Sequence, residues 1–458
     1  MTGWIKNGVF SLAIAGLYSI VLVVLRTPQI SQYFSDQSLF KSALVVHVNL
    51  SVLVWLMSVT CFIWSIRMQH SPYNFYYIIA SFCSIMLISI SPLFSSDAVM
   101  NNYIPMLENL LFVLGLSLFG SLLLCFSFQT ILLAVFENKN SDSYGDRLIS
   151  VVQTTSSFMF ILVWVCFFLS YLELDAMAEI VPLDIDYYYE MLFWSGGHLL
   201  QYVYTQIFML VLLILLEVLK NGKISYSNLY EMLLLLNFVL SLFAMLGHAY
   251  FEVSDGSFKE FFTLHMVYTA GIAPTFFILL LFVEAIEHVK NHTPVISVAL
   301  LYSSLIFCFG GLVGIFISGT NVTIPAHYHG SIVGISIAFM GFVYLICFSS
   351  QIEKNIKYKK GVIGIIYSYL KLSPQTKTTE KYKNLSKNQM HLISFGQMLH
   401  IIGLAMAGGY GVMRKSPGQE IVLSAKIYMG MVGLGGLLAI AGGLIFVYIC
   451  VRKLILVK

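Results

Sequence analysis

The chain has 458 residues, 58% of them hydrophobic and only 10% charged, with a formal net charge of +3 and a mean hydropathy of +0.84. These values exclude a water-soluble globule and describe an all-α integral membrane protein of many spans. The charge sits in a few loops and leaves no footprint for nucleic acid, so the expected environment is the lipid bilayer.

A window of about 19 residues finds apolar spans at 8–25, 40–66, 76–95, 106–135, 149–171, 189–218, 228–252, 258–286, 295–318, 325–349, 391–411 and 421–451. The first, from Val9 to Leu25, is too long for a signal-peptide core and lacks a small-residue cleavage site, so it reads as a retained helix. The second carries His47 near its start. In the sixth, WSGGHLLQYVYTQIF (194–208) puts His198, Tyr202, Tyr204, Gln201, Gln206 and a glycine pair where lipid is expected. An unpaired polar group in hydrocarbon costs several kcal/mol, so these residues need partners or a task. The seventh span ends on Gly247-His248-Ala249-Tyr250-Phe251-Glu252, and the eighth holds His265 and Pro274. The tenth opens on Ile324-Pro325-Ala326-His327-Tyr328-His329. Between it and the eleventh lies a lysine-rich loop, 351–390, with one short apolar piece at 361–370 that suits the membrane interface. His391 and His400 in the eleventh span read as core or interface histidines. The seven cysteines all fall in spans and form no C-x-x-C pair, which excludes a disulfide framework and a zinc knuckle. The whole chain, 1–458, therefore reads as one twelve-helix membrane domain.

Loop charge sets the orientation. With the N-terminus cytoplasmic, nineteen lysines and arginines face the cytoplasm and five (Arg26, Lys41, Lys259, Arg414, Lys415) face outward. Both termini then lie on the inner side. Three histidines (His70, His288, His292) fall in inner loops or helix ends, where a solvated imidazole needs no explanation. His47, His198, His248, His327 and His329, by contrast, all lie within about ten residues, or roughly 15 Å, of the outer ends. One shared depth points to one shared ligand set. His327 and His329, two residues apart, point about 200° apart on a helix, so one helix offers an imidazole to each of two cofactors.

These ordered motifs resemble subunit I of the haem-copper oxidase superfamily, and the resemblance runs from the first span to the last. LFWSGGHLLQY resembles the family's W-x-x-G-H-P-x-V-Y, IPAHYH its V-V-A-H-F-H, and GVMRK (411–415) its propionate-binding G-M-P-R-R; GHAYF followed by Pro274 nearly keeps the family's spacing. The resemblance implies two haems and a second metal, copper or iron. His47 and His329 become axial ligands of a low-spin haem, and His327 the proximal ligand of a high-spin haem. His198 and His248 become ligands of the second metal, and Arg414 and Lys415 propionate partners. Tyr202, one turn after His198, takes the place of the tyrosine that supplies an electron and a proton to the O–O bond. The glycine pair is expected to let a flat cofactor approach the helix.

The implied activity is that of a respiratory terminal oxidase (cytochrome c oxidase subunit I-like) reducing O2 to water. Alternatives are a nitric oxide reductase-like enzyme and a non-catalytic haem-binding relative. Departures from the family pattern keep these open. Ala249 stands where the family has a second histidine, leaving a weak two-histidine site. Glu252 is either an oxygen ligand that completes it, favouring iron, or a solvated helix-end carboxylate, and His265 is a further candidate. Leu200, Ile278 and Ser318-Gly319-Thr320 replace family groups of the proton routes and the outer metal site. Thr205, Gln206, Asn237 and Ser241 are the candidate polar steps inward, although Ser and Thr in spans usually bond their own helix. With no C-x-x-C-H motif or cysteine-rich copper domain, electrons are expected from a donor subunit, cytochrome c or quinol, alongside other oxidase subunits. The expected location is a bacterial cytoplasmic or mitochondrial inner membrane. A transporter is disfavoured because charged residues are nearly missing from the spans.

Overall fold

The structure, a computed structural model, describes residues 2–26, 38–68, 73–94, 97–136, 143–220, 222, 224–286, 294–348, 361–370, 380–414 and 422–455. His70, His288 and His292 lie outside the described residues. Among those described, twelve helices are long and apolar enough to cross a membrane, as the twelve spans require. They are α1 (Thr2–Arg26), α2 (Ser38–Trp64), α3 (Tyr73–Ile90), α4 (Leu110–Phe136), α5 (Tyr144–Ala178) and α6 (Ile185–Leu219). Then follow α7 (Ser227–Tyr250), α8 (Gly256–Ala285), α9 (Pro294–Ile315), α10 (Thr323–Cys347), a short α11 (Val362–Leu370), α12 (Glu380–Gly409) and α13 (Leu423–Cys450). Between α3 and α4 a small antiparallel hairpin pairs β1 (Ala98–Val99) with β2 (Met106–Leu107).

Two helices form the centre. In α6, 94% of the apolar window is buried by protein, and in α10, 83%; in the other ten spans the share is 22–67%. The histidine motifs of the sixth and tenth spans thus stand on the most enclosed elements, where a side chain holds its position best. Close helix contact comes from small residues, as usual where lipid gives no hydrophobic drive for helix association. At the α9–α10 crossing, a Cβ on Gly330 would overlap the backbone of Gly310. Along the α2–α10 seam, Trp55 meets Phe339 with ring centroids 6.4 Å apart, and Phe62 meets Phe342 at 5.5 Å.

Three π turns occur among the described residues, Asn49–Val54 just after His47, Met266–Ala270 just after His265, and Val451–Ile455 at the end of α13. Such turns are rare and often mark functional sites. Both α5 and α6 have 35 residues, about 52 Å against a hydrocarbon layer of about 30 Å, so their polar ends project beyond it. Segment 361–370 is fixed more firmly than an interfacial segment. It forms α11, with Val362, Ile363 and Ile366 buried, and its Ile363 N–H donates to Glu217 near the C-terminal end of α6 (3.0 Å). Residues 380–390, counted in the lysine-rich loop by composition, are the first turns of α12.

Candidate functional site

His47 stands on α2 and His329 on α10. His47 precedes Trp55 by eight residues and is directed to α1, while His329 precedes Phe339 by ten and lies against α12. The His47 ring is held by a 2.9 Å bond between Nδ1 and the Ala15 carbonyl of α1. A carbonyl only accepts, so Nδ1 carries the proton and the Nε2 lone pair is left for a metal. Next to Ala15, a Cβ on Gly16 would have nothing within 4 Å. His327 is held the same way, Nδ1 to the Gly310 carbonyl of α9 at 2.8 Å. The donor chemistry at His47 and His327 fits axial ligation.

His329 has a neighbour that motif reading missed. The His400 ring of α12 meets it edge to face with centroids 4.7 Å apart, and His400 Nδ1 donates to the Val432 carbonyl of α13 (2.8 Å). Depth was the available signal: His400 lies about as far from the outer end of its helix as the other five. Above His327 and His329, the segment after α12 turns at Gly411, whose φ of 76° is a left-handed conformation. Val412 then accepts from Val322 N–H (2.9 Å), and Met413 bridges to Asn321. Arg414 is thereby brought, half-buried, to the N-terminal end of α10, while Lys415 lies outside the described residues.

The second-metal residues are not gathered. His198, 4% exposed, donates through Nδ1 to the Trp194 carbonyl (2.7 Å). The Tyr103 hydroxyl, from the β1–β2 hairpin, lies 2.9 Å from each of its ring nitrogens. His248 bonds Ser195 Oγ through Nε2 (3.0 Å), and its Nδ1 is buried with no hydrogen-bond partner. Phe262 packs against both rings, its centroid 5.7 Å from His198 and 6.0 Å from His248. A metal needs nitrogen contacts of about 2 Å, and a phenyl ring against both imidazoles prevents them from converging. Among the described residues no group of three or more His, Cys, Asp or Glu side chains is placed to hold a metal.

Three expectations for this region are corrected. Glu252 does not share a helical face with His248: α7 ends at Tyr250 because Phe251 is extended (φ −132°, ψ 141°), and Glu252 is exposed. The glycine pair does not open the helix to a flat cofactor. A Cβ on Gly196 would strike Phe167, and one on Gly197 would strike Tyr103. Tyr202 does not partner His198. Its hydroxyl makes a short hydrogen bond to Thr269 and lies 3.2 Å from His265 Nε2, with the two rings stacked at 5.3 Å. His265 Nε2 also meets the Leu240 carbonyl (2.9 Å), and its Nδ1 is buried with no partner.

Inward of Tyr202, Asn237 donates to Gln206 Oε1 (2.8 Å) and to the Tyr202 carbonyl (3.2 Å), while Gln206 donates to Thr155 (2.8 Å). Thr205 reaches Asn237 at 3.5 Å. These residues form one buried polar cluster joining α5, α6 and α7. Ser241 is outside it and bonds Phe238 on its own helix.

Residues 4–438 match the family described as cytochrome c and quinol oxidase polypeptide I. The chain is 40% identical to an uncharacterized protein of Rickettsia prowazekii, over 99% of this chain and 96% of the relative. It is 27% identical to an uncharacterized protein of Aquifex aeolicus, over 75% of this chain and 83% of the relative.

Proposed function

We propose, from the premise that this chain belongs to the cytochrome c and quinol oxidase polypeptide I family, that it is a membrane haem subunit that carries electrons. The reading places a low-spin haem on His47 and His329 and a second haem on His327. The observation that carries it is the paired anchoring of His47 and His327: each gives its Nδ1 proton to a carbonyl of a neighbouring helix and keeps Nε2 as a donor. Iron with two imidazoles supplies electron transfer without gas binding. The chain's own part is to fix ring direction and exclude water, with Arg414 as the described candidate for a propionate partner. Electrons enter from a donor subunit, cytochrome c or quinol, in a cytoplasmic or inner mitochondrial membrane, with both termini on the inner side.

The residues present do not fit a histidine-ligated copper, because Ala249 supplies no imidazole, Glu252 is exposed, and Tyr103 and Phe262 pack on His198. No O2-reducing step is therefore derived. A second reading, reduction of O2 or NO with a metal other than conventional copper, is favoured by one observation: the buried, unbonded Nδ1 atoms of His248 and His265.

Haem and elemental analysis of the purified protein, with turnover on O2 and NO, separates the two. The expected result is haem without stoichiometric copper or non-haem iron, and negligible gas consumption from a reduced donor. One extra metal per chain together with sustained turnover overturns the electron-carrier reading and establishes the second.

A further inference from the structure

We propose that Tyr103 is the resident partner of His198: the outer hairpin holds its phenol on the ring nitrogen that a metal would otherwise take. This goes beyond the electron-carrier reading and rests on it only in taking His198 to occupy the family's second-metal position.

The proton inventory comes first. The hydroxyl lies 2.9 Å from both ring nitrogens, but the Nδ1 hydrogen is already given to the Trp194 carbonyl at 2.7 Å. Nε2 is left as the acceptor, so the Tyr103 hydroxyl donates to it. The group is therefore a hydrogen-bond donor rather than a phenolate ligand.

Room is provided on the same helix. Gly197, the residue before His198, has no Cβ, and one placed there would come within 2.6 Å of Tyr103 Cδ1 and 2.7 Å of its Cβ. Any other residue at 197 would push the ring off. The ring is then enclosed, with centroids 4.9 Å from His198 and 5.7 Å from Trp194.

The position of the phenol is over-determined. Inside the hairpin, Asn101 Oδ1 accepts from Tyr103 N–H (3.0 Å) and Ile104 N–H (2.8 Å). Glu190 accepts from the Asn102 backbone (2.9 Å) and its side chain (2.5 Å), and Asp186 from Met100 N–H (3.2 Å). From the other side, Asn49 of α2 donates to the Pro105 carbonyl (2.8 Å). Asp186, Glu190, Gly197 and His198 all belong to α6, so one rigid element sets both the hairpin and its target. A loop that only closed the outer surface would not need its tyrosine seated over a glycine on an imidazole nitrogen.

The test uses the purified, haem-loaded full chain in detergent, incubated with Cu(II), desalted and assayed by elemental analysis and by electron paramagnetic resonance for imidazole coupling. Wild type, Tyr103→Phe and Tyr103→Ala are compared, each with and without His198→Ala. Wild type should take up no copper that depends on His198. Tyr103→Phe keeps the ring in its cradle but removes the hydrogen bond, and should raise His198-dependent affinity about tenfold. Tyr103→Ala also frees the volume and should raise it further, and His198→Ala should cancel both gains. Tyr103→Phe stays informative even where the larger truncation loosens the hairpin. No gain in either variant overturns the proposal and leaves the electron-carrier reading standing. A second metal already present in wild type and lost in His198→Ala overturns both.

Discussion

Replacing His47 with Ala should abolish the six-coordinate, bis-histidine haem signal while the chain remains inserted and folded. On the proposed assignment the substitution would remove one iron ligand, and it leaves the Ala15 carbonyl without the His47 donor, a penalty of about 1–3 kcal/mol. That is small against a bundle of twelve helices, so loss of the signal would report ligation rather than unfolding. The measurement is a reduced-minus-oxidised spectrum with electron paramagnetic resonance, beside a check that the variant stays monodisperse. His400→Ala is the necessary comparison. A metal held between two imidazoles would need contacts of about 2 Å to a nitrogen of each. His329 and His400 instead meet edge to face at 4.7 Å between centroids, which leaves no gap for a metal. His400→Ala should therefore shift the haem potential and spectrum but keep six-coordination. If His47→Ala leaves the signal intact, His47 is not a ligand. If His400→Ala is the change that erases it, the axial pair has been wrongly assigned.

What the sequence made legible, and what it hid, follows from how far each residue's information reaches. Membrane thickness imposes a length on every span, so the twelve helices could be read from apolar runs alone. Where helices extend past the lipid, as at Tyr144 and Ala178, hydropathy has nothing to measure and the ends were missed by several residues. The histidine layer was visible because depth is a one-dimensional property of each helix. Contacts between helices are not. Tyr103 lies 95 residues before His198, in a polar loop with no motif, and its only local trace is Gly197. That glycine was noticed, but a missing Cβ reports only that something approaches, not what. Glu252 failed for a different reason: a four-residue spacing describes a shared face only while the helix continues, and Phe251 ends it. Tyr202 meets His265, 63 residues away in the chain, rather than His198, which is the histidine close to it in sequence.

Breaking the buried ion pair at the C-terminal end of α6 should be the most destabilising polar substitution in the bundle. Lys220 Nζ lies 2.5 Å from Glu284 Oε1, with the two side chains only 8% and 2% exposed. Further hydrogen bonds surround both groups. Lys220 also donates to Ser225 Oγ (3.0 Å), Ser225 N–H donates to Glu284 Oε1 (2.5 Å), and Tyr230 donates to Oε2 (3.0 Å). Lys220→Met leaves a buried carboxylate without its counter-ion and should cost about 3–5 kcal/mol, whereas Lys220→Met combined with Glu284→Leu removes both charges and should recover most of that loss. Denaturant unfolding in detergent, run as a double-mutant cycle, gives the coupling directly. Single-variant costs below about 1 kcal/mol would put the pair in the class of solvated surface bridges, against its burial. The clamp also bears on the site. It joins the C-terminal end of α6, which carries His198 and Tyr202, to α8, which carries Phe262, His265 and Thr269. Loosening it should therefore weaken the Tyr202–Thr269 contact from a distance, which Tyr202 fluorescence in a background with fewer tyrosines would register. If Lys220→Met destabilises the bundle yet leaves that contact unchanged, the π turn at Met266–Ala270 fixes the N-terminal half of α8 independently of its C-terminal end.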